Sequence, residues 1–181
     1  MIIIISGLHG TGKSTIGKLL ADYYKLDYYS TGQAFRDLAQ KKNMSLEEFT
    51  LFVEEHPEID NELDKLVLEY AKKGNIVIDS QLGAHLLKSS ANVKILLTCP
   101  LKTRIKRIVE RDSSNFEEKL KETLLREKSE LDRFKKLYNI DLRNEQIINE
   151  LYDIIIDTES LSIQQVLKKI IVELEKNFSL A

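Results

Sequence analysis

The stretch Ile2-Ile3-Ile4-Ile5-Ser6-Gly7-Leu8-His9-Gly10-Thr11-Gly12-Lys13-Ser14-Thr15 decides the fold. Four consecutive isoleucines leave no polar face, so Ile2–Ser6 reads as a strand buried on both sides, as in a parallel sheet. The next residues fit G-x-x-x-x-G-K-[ST], with a helix expected from Lys13 to Tyr24. Glycines let the backbone fold tightly and turn its N–H groups towards phosphates. The helix N-terminus adds free donors and a favourable dipole. Lys13 is placed to reach the β- and γ-phosphates of ATP, and Ser14 offers a hydroxyl to Mg²⁺. The expected ATP site is therefore Gly7, Leu8, His9, Gly10, Thr11, Gly12, Lys13, Ser14 and Thr15, with Lys13 catalytic. His9 reads as a spacer in this loop rather than a catalytic base.

Working outward, strands alternate with helices. Asp27–Ser30 is a short strand, and a helical region runs from about Gly32 to Lys42. Ser45 with Glu48 fits a capping box, opening a helix that runs towards His56. Pro57 breaks it and starts another, Glu58 to Lys73, stopped by Gly74. Ile76–Asp79 and Val93–Thr98 are apolar strands, with a short helix over Leu82–Lys88 between them. Helices over Leu101–Arg111 and Asn115–Tyr138 follow, then a strand over Tyr152–Asp157 and a final helix capped by Ser162 with Gln165. This alternation predicts one α/β domain over residues 1–181, a three-layer sandwich around a mainly parallel sheet of about five strands. Ligands of such sheets bind at the C-terminal strand ends, where the phosphate loop and Asp79 both fall.

Composition narrows the function. The 181 residues carry a formal net charge of -2, which argues against a dedicated nucleic-acid binder. The single cysteine, Cys99, excludes an intrachain disulfide and a Cys-rich metal site, and points to the reducing cytoplasm. The N-terminal apolar run is too short for a signal or membrane segment, so no membrane partner is expected. His9, His56 and His85 lack metal-ligand spacing. Cys99 reads as core, and Tyr23, Tyr24, Tyr28 and Tyr29 as packing around the second strand.

Asp79 ends an apolar strand and resembles a Walker B carboxylate. It is read as a Mg²⁺ ligand, through water, or as a hydrogen-bond partner of a substrate; the alternative is a helix cap. Arg104, Arg107 and Arg111 share one helical face, as do Arg126 and Arg133 on the next helix. A charged helix exposed to water would show the same spacing. Beside a phosphate loop, Arg126 and Arg133 read as catalytic cations that match phosphate oxygens, with Arg104 and Arg107 towards ATP. Arg36 lies near the end of the second strand, across from the ATP loop, where a phosphate on the acceptor or plain surface exposure would explain it.

With these residues in view, the chain resembles the archaeal-type cytidylate kinases over nearly its whole length. The resemblance rests on Ile4 through Thr15, Ser30-Thr31-Gly32-Gln33-Ala34-Phe35-Arg36, Met44-Ser45-Leu46-Glu47-Glu48-Phe49 and Pro57-Glu58-Ile59-Asp60. It continues through Arg126-Glu127, Arg133-Phe134, Tyr138-Asn139-Ile140-Asp141 and Tyr152-Asp153 to Asp157-Thr158. It implies an adenylate-kinase-like fold: a core for ATP, a helical acceptor segment at about 31–73 and a short lid at about 111–133. It implies CMP and dCMP as acceptors, Arg36 on the acceptor phosphate, and Arg126 and Arg133 as lid arginines. The substrate-binding set is Thr31, Gly32, Phe35, Arg36, Asp79, Gln81 and Gly83. One departure stands out: after the third strand the resemblance implies a carboxylate followed closely by a basic residue, and this chain has Asp79-Ser80-Gln81.

The expected activity is ATP-dependent phosphorylation of a nucleoside monophosphate by a monomer. Two rivals stay open. One is a P-loop kinase acting on a hydroxyl, of shikimate or nucleoside type, with Asp79 or Asp27 as base. The other is a nucleotide-binding module with weak catalysis.

Overall fold

The computed structural model describes residues 1–178. Five strands form one wholly parallel sheet in the order β2-β3-β1-β4-β5: β1 (Ile2–Ser6), β2 (Asp27–Ser30), β3 (Ile76–Asp79), β4 (Val93–Thr98) and β5 (Ile154–Asp157). β1 lies at the centre, with Ile4 beside Ile78 on one side and Lys94 on the other. Its isoleucines alternate between two cores. Ile3 and Ile5 pack with α1 (Lys13–Tyr24) and α9 (Ile163–Phe178), through Ile16, Leu20, Ile170 and Leu174. Ile4 faces the other layer, with Val67, Ala71 and Ala84. A strand sandwiched in this way needs apolar side chains on both faces, which explains the unbroken isoleucine run.

Between β2 and β3 the chain builds three helices with a core of their own. These are α2 (Thr31–Lys41), α3 (Leu46–Glu54) and α4 (Pro57–Lys73). Phe35, Ala39, Phe49, Val53, Ile59 and Leu63 close that core. The capping box is present at α3: Ser45 Oγ accepts from Glu48 N, and Glu48 accepts from Ser45 N at 2.8 Å. Pro57 sits in the first turn of α4, where its missing N–H costs nothing. After β3 come the short α5 (Gly83–Leu86), α6 (Leu101–Asp112) and the long α7 (Phe116–Tyr138).

One element differs from the sequence expectation. A helix, α8 (Glu145–Leu151), precedes β5, which starts at Ile154 rather than Tyr152. Asn144 caps it by accepting from Ile147 N at 3.2 Å. Ile148, Leu151 and Tyr152 pack into the second core, so tertiary burial stabilises a helix too short to form alone.

Candidate active-site cleft

The C-terminal ends of β1, β2 and β3 open into a cavity of about 860 Å³. Its walls are the phosphate loop, the α2–α4 segment, the β3–α5 turn, and the facing sides of α6 and α7. The loop backbone explains its glycines. Gly7 has φ +144°, and a Cβ there would meet Leu97 O at 2.3 Å; Gly10 has φ +81°, and a Cβ would press on Arg104 O at 2.6 Å. Only glycine fits both the dihedral and the space.

Lys13 folds back, donating from Nζ to Leu8 O at 3.1 Å. Burial lowers its pKa, against the opposing pull of Asp79, Glu130 and Glu127. Asp79 is a hub. Its Oδ2 accepts from Ser14 Oγ at 2.6 Å, Tyr28 Oη at 3.0 Å and Ser30 Oγ at 3.1 Å, while Thr31 Oγ1 donates to its carbonyl at 3.1 Å. It is buried and its Oδ2 takes donors from α1 and β2, so the simple helix-cap reading is excluded. Tyr28 was read as packing; its ring does pack against Gly17, but its hydroxyl serves the site. No sequence spacing marks that hydroxyl, because the strand register alone brings it beside Asp79.

Across the cleft, Thr31, Gly32, Phe35 and Arg36 line the α2 wall, with Leu46, Asp60, Leu63 and Asp64 behind. Burial, then Arg111 and Arg126, lower the Arg36 pKa, against the opposing pull of Asp79 and Asp37. From α7, Arg126 is buried beside the Phe35 ring, 5.9 Å from its centroid, and its Nε has no hydrogen-bond partner among the described residues. Arg133 is committed to the acceptor wall: its Nε donates to Asp60 Oδ2 at 2.7 Å and its Nη1 to Ser129 Oγ at 2.7 Å. Tyr138 Oη donates to Asp64 Oδ2 at 2.5 Å, and burial holds the Asp64 carboxyl up at about 6.

Further expectations are corrected. Arg104 does not face the cleft: it is buried, donates to Cys99 O and His9 O, and pairs with Glu127, so it braces the phosphate loop from behind. Gly83 is buried against Ser80 and Ile4 rather than on the cleft wall. Cys99 is only half-buried and lines a separate cavity of about 240 Å³ behind the phosphate loop. Arg107 does reach the cleft, where its guanidinium holds the Thr158 hydroxyl at 2.9 Å. His9 is no mere spacer, since its Nε2 lies 2.8 Å from Glu130 Oε2. Glu130 itself was missed, being one of many glutamates on α7.

A family model described as an AAA domain matches residues 3–135. The cytidylate kinase of Staphylothermus marinus is 41% identical over 165 residues, covering 91% of each chain. That of Methanocaldococcus jannaschii is 39% identical over 169 residues, 92% of this chain and 93% of its own. That of Methanosarcina barkeri is 42% identical over 170 residues, 92% of each. The chain belongs to the cytidylate kinase family. Its fold is shared more widely. A crystal structure from Eubacterium ventriosum has a TM-score of 0.71 at 17% identity, covering 98% of this chain and 99% of that one. A shikimate kinase from Acinetobacter baumannii scores 0.62 at 17% identity, covering 97% and 93%. At such identity the likeness is one of fold.

The family uses ATP, and the cleft suits Mg²⁺ as well. Ser14 and Asp79 offer hard oxygens, and no cluster of three or more acidic, His or Cys side chains forms a dedicated cage among the described residues. Mg²⁺ favours such sites, keeping several waters and taking substrate phosphates as ligands. No described helix is long and apolar enough to cross a membrane.

Proposed function

We propose that the chain transfers the γ-phosphoryl group of ATP to the 5′-phosphate of CMP or dCMP, giving ADP and the nucleoside diphosphate. The observation that carries this is the likeness to cytidylate kinases at about 40% identity across nine-tenths of both chains. The geometry supports it, because one cleft sets a phosphate loop opposite a second group of cations, Arg36 and Arg126.

An acceptor phosphate oxygen attacks the γ-phosphorus, and the bond from that phosphorus to the bridging oxygen of ADP breaks. The acceptor is already ionised at neutral pH, so no general base is required. Lys13 swings from Leu8 O to the transferring phosphates, and the free Nε of Arg126 meets the developing charge. Arg36 holds the acceptor phosphate, while Thr31, Gly32 and Phe35 shape its site. Arg107 lies on the ATP side. Ser14 and Asp79 would hold Mg²⁺, which when bound offsets charge on the phosphate oxygens. Residues 31–73 serve as the acceptor segment and 111–133 as a lid that excludes water on closure. The protein acts as a cytoplasmic monomer on small molecules.

A hydroxyl acceptor fits less well. It needs a carboxylate base, and one oxygen of Asp79, Oδ2, already takes three hydroxyl donors. Asp27 begins β2, at the end of the sheet away from the cleft. The reading is tested by ³¹P NMR of an incubation with ATP and CMP: CDP resonances appearing in step with ADP support it, and ADP with free phosphate alone overturns it.

A further inference from the structure

Glu130 is 8% exposed and stands where three walls of the cleft meet. Its Oε2 lies 2.8 Å from His9 Nε2 in the phosphate loop and 2.7 Å from Gln81 Nε2 in the β3–α5 turn. Its Oε1 lies 3.8 Å from Arg126 Nη2 on its own helix. A carboxylate only accepts, so His9 and Gln81 are the donors here. One helical turn earlier, Glu127 pairs with Arg104, which also donates to the His9 carbonyl at 2.8 Å. His9 is thus held at its ring by Glu130 of α7 and at its carbonyl by Arg104 of α6, which α7 in turn pairs through Glu127.

A buried carboxylate beside a polyanion site needs compensation, or it captures a cation required elsewhere. Burial would push the Glu130 pKa up; His9, then Arg126 and Arg133, instead bring it down to about 2. Gln81 touches the carboxylate but brings no charge. Once Arg126 turns to the phosphates, His9 and Gln81 are the hydrogen-bond donors left to Glu130.

We propose that His9 is a positioning residue which satisfies the Glu130 carboxylate, in the place where Gln81 brings no charge, and so keeps Arg126 available to the phosphates. His9 acts through Glu130 and Arg126 and does not touch the reacting atoms. The inference rests on the kinase reading above. It predicts that the two donors of Glu130 are exchangeable: a cation at position 81 should replace His9.

The test compares wild type, His9→Ala, His9→Ala with Gln81→Arg, and His9→Ala with Glu130→Gln. Readouts are kcat, KM for CMP, affinity for the Mg²⁺ complex of the β,γ-imido analogue of ATP, and melting temperature. Loss of a charge-assisted hydrogen bond predicts a fall in kcat of roughly 10–100-fold for His9→Ala, because Glu130 then captures Arg126. Either second change should restore kcat to within about tenfold of wild type, Gln81→Arg by supplying a cation and Glu130→Gln by removing the charge. A merely structural role would move melting temperature and leave kcat unrestored. Wild-type kcat in His9→Ala, or a loss that neither second change repairs, overturns the proposal. If His9→Ala does not fold, His9→Gln replaces it: restoration by Gln81→Arg supports the proposal and its absence overturns it. If wild type shows no CMP-dependent turnover, the acceptor reading fails instead, and the analogue affinities decide on His9 by the same pattern.

Discussion

Arg133 Nε donates to Asp60 Oδ2 at 2.7 Å, and this buried pair fastens α7 to α4. Removing one partner leaves the other charged and dry. Burial already pushes the Asp60 pKa up and Arg133 offsets it, so the carboxylate depends on that guanidinium. Arg133→Ala is expected to cost about 3–5 kcal/mol in urea-induced unfolding. It should also raise KM for CMP more than KM for ATP, because the pair forms part of the acceptor wall. Equal effects on both substrates would contradict that placement.

Asp79 gathers three hydroxyls from two elements: Ser14 of α1, and Tyr28 and Ser30 of β2. Tyr28→Phe removes one donor and leaves two, so it should cost about 1 kcal/mol of stability and reduce kcat less than about tenfold. Asp79→Asn keeps the shape but removes the charge offered to Mg²⁺. Its kcat should fall about 100-fold or more, with higher Mg²⁺ concentrations recovering part of the loss. Steady-state kinetics across a Mg²⁺ series checks both variants.

Two carboxylates of the cleft, buried Glu130 and half-buried Asp64, give stability opposite dependences on pH. Glu130 has a folded pKa near 2, below its unfolded value, so its contribution is present above the unfolded pKa and lost as pH falls from about 4.5 towards 2. Asp64 is raised to about 6, first by burial and then by Asp60, so the folded state holds its proton longer than the unfolded one. Its contribution is greatest below about 4 and is lost as pH rises through 6. Asp64→Asn should therefore flatten the decline in melting temperature between pH 4 and 6. Glu130→Gln should remove part of the loss below pH 4.5. Melting curves at half-unit pH steps read both, and unchanged profiles would contradict the assignments.

The fold was legible because its decisive residues are local. The isoleucines of β1, the glycines of the phosphate loop, the Ser45–Glu48 box and Pro57 each act within a few residues of themselves. The missed helix α8 shows the limit: it is short, and its stability comes from burying Ile148 and Leu151 against the sheet. The site divides in the same way. Lys13, Ser14, Asp79 and Arg36 are named by motif position or strand ends and Arg126 by helical spacing beside the phosphate loop, and the structure brings all five to one cleft. Glu130, Tyr28 and the ring of His9 carry no such mark, because their partners lie 121, 51 and 121 residues away in sequence. Arg104 was misplaced because helical spacing gives a shared face but not which part of that face meets solvent, cleft or core.

The most direct measurement is ADP release from Mg²⁺ and ATP by the purified protein, with CMP, dCMP, UMP, AMP, GMP, shikimate and no acceptor in parallel, and Lys13→Ala as control. Strong stimulation by CMP and dCMP, lost in Lys13→Ala, is the predicted result. Stimulation by shikimate alone, or turnover that survives Lys13→Ala, would contradict the proposed reaction.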